Sequence, residues 1–214
     1  MSNTLTQLIT RVQVQLRDDG TRFDSNLVTS AVRSALTKVN LRIPIYRRVE
    51  ITAVSDQLTY SLTDAASDAT FCLDVLLKDS DGEYHTPLDF TAYNEENEIY
   101  FRLAAPQDAS QKIIVLYSAL HTVNGLDSAT TSTLSDALDQ VLVDGATAES
   151  LAIRAAGITE DNLLDKNAPN NYRNAMISFL RAFELGLSAS QTPRASLSLP
   201  RFGAWNDEWH NFYQ

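Results

Sequence analysis

The chain of 214 residues is poor in the residues that most often build catalytic and metal sites. Its single cysteine, Cys72, excludes an internal disulfide and a cysteine-based zinc cluster. Its three histidines, His85, His121 and His210, lack the HxH and HExxH spacings of common zinc sites. No P-loop, GxSxG or GxGxxG motif is present. We therefore expect neither a metal nor a cofactor.

Positive charge and long apolar runs are also scarce. Lys and Arg number 17 against 27 Asp and Glu, so the formal net charge is −10 at pH 7. A field of this sign repels phosphate, which argues against tight binding to nucleic acid or to anionic membrane. The longest apolar run covers only residues 113–117, and the N-terminus lacks the basic start and apolar stretch of a signal peptide. The sequence thus indicates a soluble protein made in the cytoplasm, without a membrane partner.

Apolar residues at helical spacing predict two helices at the start of the chain. The first is expected to run for about a dozen residues, capped by Asn3 or Thr4 and stopped by the sequence DDG at residues 18–20. The second is expected to begin at Asp24, a favourable N-cap, and to end before Pro44, whose ring cannot continue a helix. The two are predicted to form a helical hairpin.

Helical spacing returns near the end of the chain. Ser135 is the predicted cap of an Ala-rich helix that Gly157 is expected to end, and Gly145 inside it marks either a kink or a close helix contact. A last helix rich in aromatic and aliphatic residues follows. Because the helices before and after the middle segment each need cover for an apolar face, we predict one helical body built from residues 1–48 and 120–187.

Between the helices the apolar period changes to two. The segments RRVEITAV and QLTYSL flank the dipeptide SD, FCLDVLLKD and EYHTPL flank SDG, and EIYFRL and QKIIVLYSA flank AAPQDAS. Five to seven strands in about seventy residues, with no helix between them, predict an antiparallel β-sandwich or small barrel over residues 49–119. The predicted fold class is therefore α+β: a helical bundle interrupted by a β insertion and followed by an extended C-terminal arm.

The predicted arm, residues 188–214, differs from the rest of the chain. It opens with small polar residues and two prolines, and it shows no sustained period. Five of the eighteen aromatic residues, including both tryptophans, lie here: Phe202, Trp205, Trp209, Phe212 and Tyr213. Their large apolar area favours burial, either against the chain's own body or, as we expect, against another subunit or another protein.

Several acidic or reactive residues have simple structural explanations. DSDG at residues 79–82 resembles half of a calcium loop without its other ligands, so a hairpin turn is predicted. Glu95, Glu96 and Glu98 offer the paired acids of a glycoside hydrolase, but a solvated turn between strands is expected. Cys72 is expected to be a small buried apolar residue.

One basic cluster stands out against the acidic composition. Arg42, Arg47 and Arg48 lie close together in the sequence, where the second helix gives way to the first strand. Guanidinium groups pair with both carboxylates and phosphates. We expect these three arginines to form ion pairs between subunits rather than to bind phosphate.

The order of segments resembles that of the head–tail adaptor proteins of tailed bacteriophages. The most telling parts are DDGTRFD between the first two helices and the passage YSALHTVNG...LSDALDQVLVDGATAE, which leads from the last strand into the third helix. The resemblance covers nearly the whole chain, including the β insertion that begins YRRVEITAVSDQLTYSL and the aromatic end. The insertion is larger than in the smallest members of that family.

The resemblance implies a ring beneath the portal, commonly of twelve copies, in which the helical body forms the ring and the C-terminal extension reaches the portal. It implies a position in the virion neck, with the portal protein on one side and a tail, stopper or nozzle protein on the other. The family shares no catalytic residues. DNA would pass through the channel without specific binding, and acidic walls suit that passage. Two alternatives stay open: a tail-associated enzyme of the muramidase type, and a binding module that forms no ring.

Overall fold

The computed structural model describes residues 3–78, 85–161 and 168–190. In chain order its elements are α1 (Leu5–Leu16), α2 (Ser25–Arg42), β1 (Ile45–Thr52), β2 (Thr59–Ser61), α3 (Leu62–Ala65), β3 (Ala69–Lys78), β4 (His85–Pro87), β5 (Phe90–Glu95), β6 (Glu98–Leu103), β7 (Lys112–Ala119), α4 (Asp136–Asp161) and α5 (Ala168–Ser190). Two compact units result: α1, α2, α4 and α5 form a helical unit, and the strands with α3 form a β unit. The predicted α+β class is confirmed.

The first two helices begin where the sequence predicts. Thr4 caps α1 in a capping box, because the Gln7 amide donates to its hydroxyl at 3.4 Å and its own amide donates to Gln7 Oε1 at 2.8 Å. Arg17, with φ of 52°, ends this helix. Asp24 caps α2 by accepting a hydrogen bond of 2.8 Å from the Leu27 amide. Local cap chemistry therefore sets these boundaries.

The segment DDGTRFD folds around one carboxylate. Asp18 Oδ2 accepts hydrogen bonds from the backbone amides of Gly20, at 3.1 Å, and of Phe23, at 2.9 Å. The Gln13 side chain donates to the Phe23 carbonyl at 2.9 Å, and the Phe23 ring is buried in the helical core. Gly20 has a φ of +94°, a conformation that favours glycine. The motif thus supplies the connection that turns α1 into α2.

Helix α4 is longer than expected. It passes Gly157 and ends at Asp161, so the predicted stop at that glycine is wrong; one glycine within a helix costs only about 1 kcal/mol. Gly145 is a close helix contact rather than a kink. A Cβ atom there would lie 2.7 Å from the Phe183 ring of α5. A Cβ atom at Gly186 of α5 would lie 2.5 Å from Val141 of α4, so the two helices approach through both glycines.

The β unit contains two antiparallel sheets, of strand order β1-β7-β3-β4 and β2-β6-β5. Buried side chains of both sheets share one core. It includes Tyr60 and Phe101, whose rings stack at 5.4 Å, together with Val75, Ile113 and Val115. The arrangement is that of the predicted sandwich, with a shared apolar interior.

Strand pairing differs from the order of the turns. The predicted pairing of β3 with β4 is present. However, β6 and β7, which flank AAPQDAS, belong to different sheets, as do β1 and β2. The one-turn helix α3 follows β2, capped by Ser61, so the expectation of no helix between the strands is wrong. Strand β1 starts at Ile45, directly after Pro44, and pairs with β7 through an unbroken register.

One side chain joins the points where the chain leaves and re-enters the helical unit. Asn40, near the end of α2, accepts a 2.7 Å hydrogen bond from the His121 amide and donates one of 3.2 Å to the His121 carbonyl. The loop after His121 is also tied down, because the Leu5 amide donates to the Asn124 carbonyl at 2.8 Å. Arg33 adds a two-pronged ion pair with Asp127. The HTVNGLD segment therefore clamps the start of α1 and the side of α2.

Candidate assembly surfaces

Two of the three clustered arginines have partners inside their own unit. Arg42, at the end of α2, lies 3.8 Å from Glu184 of α5. Arg47 of β1 lies 2.5 Å from Asp68, and the Tyr117 hydroxyl donates to the other oxygen of that carboxylate at 3.2 Å. These pairs are largely exposed, and exposed pairs contribute about 1 kcal/mol or less. Both arginines therefore help to join neighbouring elements within the subunit.

Arg48 is different. It lies in register with Leu116 on the face of β1 opposite to Arg47, and its side chain is exposed. Across residues 3–78, 85–161 and 168–190, no carboxylate forms an ion pair with it. Of the three arginines predicted to pair between subunits, Arg48 has the charge most available for that role. Pairing of all three across subunits stays a prediction.

The five aromatic residues predicted to anchor the protein, Phe202, Trp205, Trp209, Phe212 and Tyr213, lie outside the described residues, as does the predicted DSDG turn. Helix α5 continues to Ser190, with Leu187 buried in the helical core. Residues 188–190, which were predicted to belong to the arm, are therefore helical. An arm deletion that spares the helix begins after Ser190.

Strand β1 forms one edge of the four-stranded sheet. It bonds to β7 on one side, and no hydrogen bond within the described chain uses the backbone groups on its other side. The alternating sequence predicts the strand but not its edge position, because the position depends on pairing between distant segments. The one local signal is the charge of Arg47, Arg48 and Glu50, which is typical of edge strands.

The acidic NEENE segment forms the turn between β5 and β6. Glu96 and Asn97 have φ of 52° and 70°, the two positive values of a type I′ hairpin turn. The Tyr100 hydroxyl donates to Glu98 at 2.5 Å, a bond that raises the pKa of that tyrosine to about 12, and its ring stacks on Tyr93 at 5.6 Å. The predicted turn is present, and Glu95 and Glu98 are register partners at the ends of the two strands that it joins.

Two buried ionisable groups, Cys72 and Asp74, lie close together on β3. Cys72 is buried as expected, and burial raises the pKa of its thiol to about 12. Asp74 is buried on β3, and burial raises the pKa of its carboxyl although the Val75 amide donates to it at 2.8 Å. Among described residues, no group of three His, Cys, Asp or Glu has the arrangement of a metal site.

Large apolar side chains are exposed on both units. Leu41 of α2 and Leu185 of α5 are 77% and 70% exposed, and Phe71 of β3 is 58% exposed. Single exposed apolar residues are common on soluble proteins and do not by themselves define an interface. No helix in the described ranges has the length and apolar character needed to span a membrane.

No protein-family model matches the sequence, and no curated protein matches it. Among solved structures, the chain is similar to one in the neck of an empty gene transfer agent (GTA) particle computed with C6 symmetry. That match has 15% identity and a TM-score of 0.29, and it covers 58% of this chain and 66% of that chain, just under two thirds.

Two further solved structures give matches of the same strength. A chain in the virion of a native GTA particle matches at 13% identity and a TM-score of 0.32, over 83% of this chain and 89% of that chain. A chain in the neck of a native GTA particle computed with C12 symmetry matches at 15% identity and a TM-score of 0.29, over 80% and 94% of the two chains. TM-scores of this size do not establish a shared fold.

Proposed function

We propose that this protein is a structural head–tail adaptor of a tailed bacteriophage. Copies of the chain, twelve in the commonest form of such rings, would assemble beneath the portal, extend the DNA channel and carry a tail, stopper or nozzle protein. The proposal places the protein in the virion neck and gives it no enzymatic role. One observation carries it: the two segments that most resemble adaptor proteins both form connections within the helical unit.

The first connection is DDGTRFD, in which Asp18 stabilises the turn from α1 into α2. The second is the HTVNGLD loop, in which Asn124 accepts from the Leu5 amide and Asp127 binds Arg33. A resemblance confined to exposed side chains carries little weight. Here it involves residues that determine how the predicted ring-forming body is connected, which supports a common architecture.

The charge of the chain supports passage of DNA rather than its capture. Each copy has a formal net charge of −10, and a ring multiplies that charge around its axis. Acidic walls repel the phosphates and let the duplex slide, whereas cationic walls retain it. We expect weak duplex binding in fluorescence anisotropy at physiological salt. Binding at micromolar Kd or tighter, with a steep salt dependence, would contradict this part of the proposal.

The partners follow from the arm and the arginines. We propose that Phe202, Trp205, Trp209, Phe212 and Tyr213 bind the portal or an adjacent subunit, since buried tryptophans dominate many interfaces. Arg48 supplies an exposed charge for a carboxylate on a neighbouring copy. Arg42 and Arg47 could exchange their present partners for intersubunit ones, because exposed ion pairs are weak.

Assembly on the portal tests the proposal. Purified full-length protein is mixed with portal rings and observed by negative-stain electron microscopy and native mass spectrometry, with portal alone as the control. We expect a second ring of many copies stacked on the portal. A stable complex of one copy per portal ring, with no larger species at any protein ratio, would overturn the proposal.

A further inference from the structure

The free edge of β1 has the length and regularity of a strand-binding site. All eight residues of β1 pair with β7 without a register shift. Helix α3 lies near this strand but makes no hydrogen bond to its second edge. Natural edge strands are usually short, bulged or interrupted by proline, because an open edge pairs with other chains. Strand β1 has none of these three protections.

The charges of β1 are mostly engaged elsewhere. Arg47 binds Asp68, and Glu50 lies 2.8 Å from Lys78 and 3.5 Å from Lys112. Both groups thus pair across their own sheet or with the adjoining loop. Arg48 is the remaining charge on the strand, and it lies on the face away from the shared core. A strand can therefore approach this edge without separating existing ion pairs.

The core side of β1 is only partly covered. Ile45, Val49 and Ile51 pack against the β core but are incompletely buried, whereas Ile113 and Val115 of the adjacent β7 are fully buried. The burial differs because β7 has a hydrogen-bonded strand on each side, whereas β1 has a strand on one side. A further strand with alternating apolar residues would extend the sheet and cover the exposed part of these side chains.

The chain beyond α5 contains a segment of matching length and pattern. Residues 194–199 read RASLSL, and Pro193 and Pro200 stand immediately on either side. Ala195, Leu197 and Leu199 alternate with polar residues over six positions, which is a common strand length. Proline is confined to strand ends and edges because it cannot donate to a ladder, so the two prolines delimit the segment.

We propose that residues 194–199 of one copy add as a strand to the free edge of β1 in an adjacent copy. The proposal rests on the proposed ring. Main-chain hydrogen bonds would hold the segment, with Leu197 and Leu199 on the side of Val49 and Ile51, and Ser196 and Ser198 on the side of Arg48. Each copy then has one donor segment and one acceptor edge, which is the head-to-tail relation from which rings are built when the rotation between copies closes.

A cysteine scan tests the pairing. Arg48→Cys is combined in turn with a cysteine at each of positions 194 to 199, and the full-length proteins are oxidised mildly on portal rings and alone. Opposed residues of paired strands point to the same face, so cross-links between copies are expected at even positions and not at odd ones. Thr91→Cys on the edge strand β5 replaces Arg48→Cys as the matched control and is expected to give none.

Each outcome of the scan decides something. Cross-links within single chains would overturn the assignment to an adjacent copy, and equal yields at even and odd positions would overturn the strand. Rings that form without any cross-link would overturn this inference and leave the adaptor proposal standing. Even-position cross-links between copies without rings on the portal would support strand exchange and count against the adaptor. Ring formation is judged on the wild-type protein in parallel, because Arg48 is itself proposed to pair with a neighbouring copy. Absence of both wild-type rings and cross-links overturns both proposals.

A proline variant gives a second, independent reading. Leu197→Pro with Ser198→Pro removes two backbone donors from the segment but keeps the aromatic residues beyond it. In the background of Arg48→Cys with Ser196→Cys, we expect the yield of the cross-link between copies to fall roughly tenfold. The control Gln191→Pro, outside the segment, is expected to keep the full yield. Equal yields in the two variants would overturn strand addition.

Discussion

Gly145 of α4 and Phe183 of α5 are in direct contact. A Cβ atom at Gly145 would lie 2.7 and 2.8 Å from two carbons of the phenyl ring, and 3.1 Å from Cβ of Ala35 on α2. Phe183 is only 1% exposed, so its ring is enclosed by protein and cannot turn out into solvent. The absence of a side chain at position 145 is what lets three helices meet at this point.

Gly145→Ala should therefore destabilise the helical unit. Overpacking a core costs about 1–3 kcal/mol, while alanine gains about 1 kcal/mol in helix propensity, so we expect a net loss of up to about 2 kcal/mol in the free energy of unfolding. Urea unfolding measures it. The double variant Gly145→Ala with Phe183→Leu should lose less unfolding free energy than the two single variants lose together, because leucine leaves room for the new methyl group. If the free-energy losses of the two single variants simply add, the Phe183 ring is not what the alanine at position 145 contacts.

Asp18→Ala should weaken the connection between α1 and α2. The carboxylate accepts from the Gly20 and Phe23 amides, and removing such an acceptor costs about 1–2 kcal/mol. Asp19→Ala is the matched control, because Asp19 is exposed and its carboxylate accepts from the amide and hydroxyl of the nearby Thr21. We expect a lower thermal midpoint for the first variant and little change for the second. Equal shifts would contradict the role given to Asp18.

Asp74→Asn should stabilise the β unit at neutral pH. Burial raises the folded-state pKa of this carboxyl above the usual value of about 3.9. The folded state then holds a proton that the unfolded state releases, so the carboxylate becomes increasingly unfavourable as pH rises through that window. Asparagine removes the charge and keeps an acceptor for the Val75 amide. The stability difference between variant and wild type should be present at pH 7 and should shrink below about pH 3.9; a constant difference would contradict it.

Trp205→Ala with Trp209→Ala should abolish attachment without unfolding the protein. Buried tryptophans at interfaces contribute roughly 2–4 kcal/mol each, and deletion of residues 191–214 should have the same effect as the double change. Co-sedimentation with portal particles measures attachment, and thermal unfolding of the free protein is its companion measurement. The anchor role is wrong if the melting temperature falls sharply while the folded fraction still binds portal.

Helix starts were predictable because their causes are local. Thr4 and Asp24 hold amides within three residues of themselves, so a short window of sequence contains the whole interaction. The alternating strands were predictable for the same reason. The predicted helix end at Gly157 was wrong because the tendency of one glycine to end a helix is smaller than the stabilisation that a long helix gains from packing.

Pairing was not predictable because it depends on contacts between distant residues. The residues of QKIIVLYSA do not indicate that β7 will lie between β1 and β3 rather than beside β6. For the same reason the sequence did not reveal that Arg47 meets Asp68 while Arg48 has no carboxylate partner in the described part of the chain. The aromatic arm is distinguished by its composition alone, and composition does not specify the partner that binds it.

The pair of hydrogen bonds between Asn40 and His121 gives this architecture a natural graft point. Since one amide side chain holds the outgoing and returning backbone together, the intervening 80 residues form a closed loop whose two ends are fixed close to each other. An insertion of another size or fold can then join the same two backbone ends without a change in the packing of the helices. A chain with the same helical unit could therefore carry a different insertion at this point while its helices stay unchanged.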